Sequence, residues 1–372
     1  MTVSITGVGL HPFGRFDTRT VTDLGVGAVR AALVDAGTRS VDAAFCGTAY
    51  AGVAAGHKVL GAIGLTGIPI VDVEAGCASG GAALMLASSA IESGRARRAL
   101  VFGIEKMPRG MIRSTFFEPW REQMGLAATP AYFALRAQRL LREAGLTKEH
   151  LAAVVVKNRR NGVDNPDAMY RAETTITDVL SSRVVCEPLH LHMLCSPNEG
   201  AAAVVVEPGT DGVAVAGLAL RSHLPGGVLG EATPLAGTTD DTLTPPTALA
   251  ARDAYAQAGI DPSDLDLVEC QDTDAARELL SYVELGLCPA EDVAGWVESG
   301  HTARDGPLPV NVSGGLLSKG EPLGASALGQ VVELVRQLRA EAGPRQVPGA
   351  RTALGHTVGR GANASVVILR RD

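Results

Sequence analysis

The chain is poor in aromatic residues: seven Phe, five Tyr and two Trp make up 4% of 372 residues. A core of any size must then be packed from Ala, Val, Leu and Ile, side chains that suit strands and helices stacked in layers. Positive charge is not in surplus either. The formal net charge is -7, and no basic stripe interleaved with aromatics occurs, which argues against nucleic acid as a partner. No apolar run approaches the about 20 residues that a membrane span needs. Residues 1–8 read as a strand, not as a basic and apolar leader, so a cytoplasmic protein without membrane contact is expected. The six cysteines (Cys46, Cys77, Cys186, Cys195, Cys270 and Cys288) contain no C-x-x-C pair, and their spacing supports neither zinc nor a disulfide framework. The Gly-x-Gly pairs lack the preceding strand and following acidic residue of a dinucleotide fingerprint. Neither a metal nor a cofactor is expected.

What is present centres on Cys77. The β-branched run at 68–73 ends just before Gly76-Cys77-Ala78-Ser79-Gly80, and a helical pattern (Leu84, Met85, Ala87, Ile91) follows to Gly94. This places a thiol at a strand-to-helix turn, where unpaired N–H groups and the positive end of the helix dipole favour a thiolate. A thiolate is a covalent catalyst, whereas a buried thiol is filler.

Strand-like runs at 3–8, 43–47, 68–73 and 99–104, then 201–206 after a long gap, alternate with helical patterns at 23–36, 57–64 and 78–93. The second half repeats the order. Strand-like runs lie at 213–220, 265–270, 308–312, 352–356 and 365–369, with helical patterns at 247–258, 275–285 and 325–342. An internally duplicated α/β chain with a largely parallel sheet is expected, divided into halves at 1–208 and 209–372. In both halves the third strand runs into a Gly/Ser-rich turn, the second being Ser313-Gly314-Gly315. Residues 107–198 form an insertion with two helical patterns of its own (130–144 and 148–161). Insertions of this size usually cover a site.

Particular runs carry a resemblance. Glu74-Ala75-Gly76-Cys77-Ala78-Ser79, Lys157 to Pro166, Cys195-Ser196-Pro197-Asn198-Glu199-Gly200, Asn311 to Ala325, and Gly355-His356-Thr357-Val358-Gly359-Arg360-Gly361 occur in the order found in the thiolase superfamily. The chain is similar to its sterol-carrier-protein-type and archaeal branch. The resemblance implies duplicated βαβαβαββ halves in a layered α/β/α/β/α sandwich with an insertion domain, a homodimer, and Cys77 as the residue that accepts an acyl group. It also implies an acyl thioester as substrate, and acyl-CoA is the expected one. Where the family has Gly-His-Pro, this chain has Gly320-Glu321-Pro322. Where the branch has His-Asp-Cys-Phe, it has Gln271-Asp272-Thr273-Asp274. A base and a proton shuttle are therefore replaced.

His356 remains as an imidazole able to manage a proton, and backbone N–H groups at Cys77 and in the Gly359–Gly361 loop can face an oxyanion. Glu321 has three catalytic options: base, orienter of His356, or partner of a substrate proton or nucleophilic group. It can also be purely structural. The Thr273 hydroxyl cannot shuttle protons as a thiol does, so a hydrogen bond is its expected use. Asn311 can bond near the site or satisfy its turn, and Gln271 stands beside these groups. Cys46, Cys270 and Cys288 are expected to pack. Cys186 and Cys195 flank His190 and His192 at a spacing too irregular for a metal. Three functions are consistent with these residues. The leading one is an acyltransferase working through acyl-Cys77 on a non-standard acceptor. A second is a CoA-dependent retro-aldolase or retro-Claisen lyase with a small OB-fold partner, and a third is a catalytically degenerate subunit.

Overall fold

The computed structural model describes residues 2–110, 120, 123–124, 128–224, 243–359 and 363–371. The first half runs β1 (Val3–Gly14), α1 (Val21–Asp35), β2 (Ala43–Gly47), α2 (Ala55–Gly61), β3 (Ile70–Val73), α3 (Ser79–Glu92) and β4 (Ala99–Lys106). The insertion follows, with α4 (Thr129–Glu143), α5 (Lys148–Val163), α6 (Ile176–Ser181) and a small hairpin, β5 (Val184–Cys186) and β6 (Leu189–His190). β7 (Glu199–Pro208) completes the half. The second half runs β8 (Val213–Ser222), α7 (Pro246–Ala258), β9 (Leu267–Glu269), α8 (Ala275–Glu284), α9 (Val293–Glu298), α10 (Gly315–Lys319), α11 (Leu323–Leu338), β10 (Thr352–Gly359) and β11 (Asn363–Arg370).

The strands form one nine-stranded sheet in the order β3-β2-β4-β7-β1-β8-β11-β10-β9. Read outward from the junction of β1 and β8, the two sides are the same. β1-β7-β4-β2-β3 on one side matches β8-β11-β10-β9 on the other, followed by a parallel bridge from Val268 to Val310. The duplication expected from the sequence is thus visible as a repeated strand order. Among the described residues the β1–β8 ladder that joins the sides has two residue pairs, Ser4 with Ala214 and Ile5 with Val213.

Two expectations are corrected. The sheet is mixed: β2 pairs in parallel with β3 and β4, and β9 with β10, while β1, β7, β8 and β11 make antiparallel pairs. The cause is that in each half the last strand returns beside the fourth. Second, residues 308–312 form no strand. Pro307 and Pro309 interrupt that run and carry no N–H for a ladder, so only Val310 and its neighbours touch β9, through Val268 N to Pro309 O and Asn311 N to Val268 O.

Side-chain alternation along the strands sorts the core into layers. On β7, Ala201, Ala203 and Val205 pack with Leu24, Val29, Val59 and Phe102 beneath α1 and α2. Ala202, Val204 and Val206 point the other way, into a cluster with Leu84 and Ile91 of α3 and Leu328, Val332 and Val335 of α11. On the far side, Leu354, Val366 and Ile368 pack against α7, α8 and the insertion helices through Ala254, Leu279, Leu151 and Val155. The paired helices α3 and α11 therefore lie between the two sides of the sheet, and the layers are α/β/α/β/α. Both helices begin at one end of that central layer, where the turns before them meet.

Candidate active site

Cys77 lies in a single 3-10 turn, Gly76–Ala78, between β3 and α3. Gly76 supplies the left-handed φ of 59° that the turn needs. Ser79 locks it: its Oγ accepts from Ala75 N (2.8 Å) and donates to Gly76 O (2.6 Å). Cys77 is 3% exposed and packs against Met107 and Leu323. Gly359 ends β10 against this turn. A Cβ on Gly359 would lie 2.0 Å from Ala75 O, so only glycine lets the strand approach the residues that carry the thiol. Gly361 lies outside the described residues.

Glu321 reaches the same place by a different route. After α10, Gly320 turns the chain with φ 83°, and Glu321 forms a short parallel pairing with the exit of the insertion. Its N–H donates to Ser196 O (2.9 Å), and its carbonyl accepts from Asn198 N (3.3 Å). That pairing sets Cys195 beside the Glu321 carboxylate, with Cys195 Sγ donating to Oε2 at 3.3 Å. Gln271 Nε2 donates to Oε1 at 2.9 Å, and Gln271 Oε1 accepts from Val358 N at 3.2 Å. Thr273 accepts the Cys195 N–H on its carbonyl (2.9 Å), and its hydroxyl donates to Asp274 (3.3 Å).

Beneath these groups lies a buried bracket. Asp272 accepts from Leu316 N (2.6 Å) and Leu317 N (3.1 Å) at the first turn of α10, and from Asn158 Nδ2 of α5 (2.9 Å). Burial, then the neighbouring Glu278, push the Asp272 carboxyl well above its ordinary range. Asn311 belongs to the bracket and not to the cavity. Its Oδ1 accepts from Cys270 N (2.9 Å) and its Nδ2 donates to Glu278 (2.7 Å), which holds its φ of 55°.

A cavity of about 810 Å³ opens over this constellation, within the size range of small-molecule sites. Cys77, Cys195, Gln271, Thr273 and Glu321 line its floor together with Leu323 and Val358. The insertion supplies the rest of the wall, including Phe133, Arg159, Tyr170, Arg183, Val185, Leu191 and His192. The insertion is therefore a wall of the site.

Of the residues singled out in the sequence, Cys77, Glu321, Gln271 and Thr273 meet in one cavity, with Gly359 packed behind. His356 does not line it. It sits two residues before Val358 on the same face of β10, 1% exposed, with Nε2 3.1 Å from Thr247 Oγ1 at the start of α7. Burial, then the nearby Arg277, hold its pKa well below the ordinary imidazole value, so it is neutral and cannot serve as an imidazolium beside the thiol. Cys195 is the member the sequence did not reveal. Burial pushes its thiol well above the ordinary range, and the Glu321 carboxylate beside it pushes in the same direction; it is a protonated thiol held against a carboxylate. Cys46, Cys270 and Cys288 are buried in packing positions. Among the described residues no cluster of three or more His, Cys, Asp or Glu side chains has a metal-binding arrangement, and no helix is long and apolar enough to cross a membrane.

A duplicated five-layer α/β fold with a thiol on the turn before a central helix defines a recognisable class. The thiolase N-terminal domain family matches residues 3–185, and the thiolase C-terminal domain-like family matches residues 231–371. The chain belongs to the thiolase superfamily. It is 36% identical over 390 residues to an acetyl-CoA acetyltransferase of Methanothermobacter thermautotrophicus, covering 99% of each chain. It is 34% identical over 396 residues to sterol carrier protein 2 of Oryctolagus cuniculus, covering 99% of this chain and 72% of that one. Among solved structures it resembles an Ltp2-ChsH2(DUF35) aldolase, with a TM-score of 0.88 and 25% identity over 100% of this chain and 98% of that one. Acyl transfer or condensation is the chemistry of the class.

Proposed function

We propose that the protein is an acyltransferase that takes an acyl group from an acyl thioester, with CoA as the carrier, onto Cys77. The acyl group then passes to an acceptor other than that of standard thiolysis, or is condensed with it. The observation that carries this reading is the meeting of Cys77, Glu321 and Cys195 in one cavity, with the carboxylate receiving the Cys195 S–H at 3.3 Å. The Glu321 carboxylate takes the Cys77 proton as sulfur attacks the thioester carbonyl. The tetrahedral adduct collapses with loss of the carrier thiolate, which recovers a proton from the Glu321–Cys195 pair. On this reading the oxyanion is bound by backbone N–H groups of the turn bearing Cys77 and of the glycine loop that begins at Gly359. His356, in its buried position, is left out of this relay, and Thr273 serves as a hydrogen-bonding wall.

The test is intact-mass analysis after exposure to a panel of acyl-CoA esters. A stoichiometric acyl adduct on the wild type that disappears in Cys77→Ala supports the reading; no adduct, or one that survives the substitution, refutes it.

A second reading, a CoA-dependent retro-aldolase or retro-Claisen lyase with a small OB-fold partner, is favoured by the similarity to the Ltp2-ChsH2(DUF35) aldolase. Carbon–carbon cleavage that persists in Cys77→Ala would select it. A homodimer is proposed as well. β3 forms an end of the sheet among the described strands, and Val71 on β3 and Leu86 on α3 are 43% and 38% exposed. A cytoplasmic location is part of the same proposal.

A further inference from the structure

Arg159 extends from α5 into the wall of the cavity that holds Cys77. Its guanidinium lies over the Tyr170 ring, 4.0 Å from the centroid, and its Nε is sealed from solvent without a hydrogen-bond partner. Three arginines nearby pair with carboxylates, Arg136 with Asp274, Arg304 with Asp164 and Arg345 with Glu333, and Arg160, Arg171 and Arg183, which have no such pair among the described residues, are exposed to water. Among the described residues Arg159 has no carboxylate partner. The charged groups that share its cavity do not replace one. Arg183 is cationic, and His192 is disfavoured in its charged form by burial and then by Arg159 itself. Glu173 is exposed, and Glu321 is engaged with Gln271 and Cys195.

A guanidinium stays charged in any protein environment. Withdrawing it partly from water without a counter-ion is unfavourable, so an anion entering the cavity gains by pairing with it. The Tyr170 ring under the guanidinium anchors it, and its terminal N–H groups, which are not among the sealed atoms, can make the two-pronged bond that matches a carboxylate. The rest of the wall, including Phe133, Leu194 and Val358, suits an alkyl or aryl chain. A hydrated phosphate of the carrier fits the exposed Arg183 better than the partly buried Arg159.

We propose that Arg159 receives a carboxylate carried on the acyl chain, so that the substrate is the monothioester of a dicarboxylic acid. This rests on the reading of Cys77 as the acyl acceptor. The test compares two thioesters of equal chain length, glutaryl-CoA and valeryl-CoA, by quenched acylation and intact mass. Wild type is expected to react with glutaryl-CoA about tenfold to a hundredfold faster, the value of a hydrogen-bonded charge pair. Arg159→Met, which keeps an apolar stem on Tyr170, brings the ratio to about one.

A wild-type ratio near one overturns the proposal. So does a variant that slows both thioesters equally, because that assigns Arg159 to the phosphates both share. A second arm reads binding without chemistry, by calorimetry in a Cys77→Ala background. Tighter binding of glutaryl-CoA that is lost on adding Arg159→Met supports the carboxylate site even where neither thioester acylates Cys77; in that case the acyl-enzyme reading alone fails. Equal binding of the two thioesters overturns the site.

Discussion

Replacing Glu321 by Gln removes a charge from the floor of the cavity while keeping the shape of the side chain, and the thiol that reports on it is Cys195. Cys195 Sγ lies 3.3 Å from Glu321 Oε2, and the carboxylate is, after burial itself, the main reason its thiolate is disfavoured. Two like charges at about 4 Å in a medium of effective dielectric near 20 repel by about 4 kcal/mol. Halving that for water admitted through the cavity leaves about 2 kcal/mol, or roughly 30-fold in thiolate population. A less basic thiolate is also a weaker nucleophile, and a Brønsted slope near 0.5 gives back about fivefold. The net expectation is a rise of about fivefold in the iodoacetamide labelling rate of Cys195 at pH 7.5. The assay is peptide-resolved mass spectrometry over a time course, with Cys46 as a buried internal reference. A Cys195 rate within twofold of wild type, with Cys46 unchanged, would refute the claim that the carboxylate and this thiol share one proton-transfer unit.

Other substitutions test the scaffold. Gly359→Ala places a methyl 2.0 Å from Ala75 O, which is expected to cost about 1–3 kcal/mol in urea unfolding and to slow acylation of Cys77 by tenfold or more, because the turn must move. His356 is buried in its neutral form, so its folded pKa lies below its unfolded one, and protons bind the unfolded chain preferentially as pH falls below 6.5. The stability it confers is present above pH 6.5 and is lost between that value and its depressed folded value. The drop in unfolding free energy between pH 7.5 and 5.5 should therefore be smaller by about 1.4 kcal/mol in His356→Gln than in wild type; equal drops would show that the imidazole is not held neutral. Leu86→Glu and Val71→Lys, at exposed positions on α3 and β3, are each expected to halve the mass seen by light scattering. A wild-type chain that is already monomeric at micromolar concentration removes the dimer.

Much of the fold was legible because it is written in local periodicity. β7 alternates between two cores with period two, and α11 buries almost its whole length; both are visible as apolar runs. The direction of strand pairing was not, because it depends on where the chain returns. The Val310 segment failed as a strand through two prolines whose missing N–H groups the apolar pattern does not show. At the site, the turn carrying Cys77 was readable from a strand signal, small residues and a helix signal in succession. Glu321 stood out through the resemblance, as the residue in place of the histidine of Gly-His-Pro. Cys195 did not, because what makes it part of the site is the pairing of Ser196 and Asn198 with Glu321 across more than a hundred residues. The Cys195-Ser196-Pro197-Asn198 run signalled only a turn before a core strand. His356 misled for the converse reason: its neighbour Val358 reaches the cavity, while the imidazole is committed to Thr247.

Replacing an imidazole by a carboxylate changes when charge exists in such a site. An imidazolium stores a thiolate in the resting state by attraction. A carboxylate repels one, so on the proposed reading Cys77 can lose its proton only as sulfur bonds to carbon, and the site holds a single negative charge throughout. That charge begins on Glu321, moves through sulfur to the carbonyl oxygen, and leaves with the carrier thiolate before a proton from the carboxyl–thiol pair neutralises it. Cys195 fits this scheme because its protonated thiol is already hydrogen-bonded to Glu321, so proton return requires no new approach. A resting site of this kind has low thiolate content, and therefore low reactivity toward small alkylating agents, even when its acyl transfer is fast. Slow alkylation of Cys77 together with rapid acylation by a thioester is thus the expected signature of the carboxylate relay. Slow alkylation with no acylation is the signature of a degenerate subunit. Labelling and acylation must therefore be measured on the same preparation for either to assign the role of Cys77.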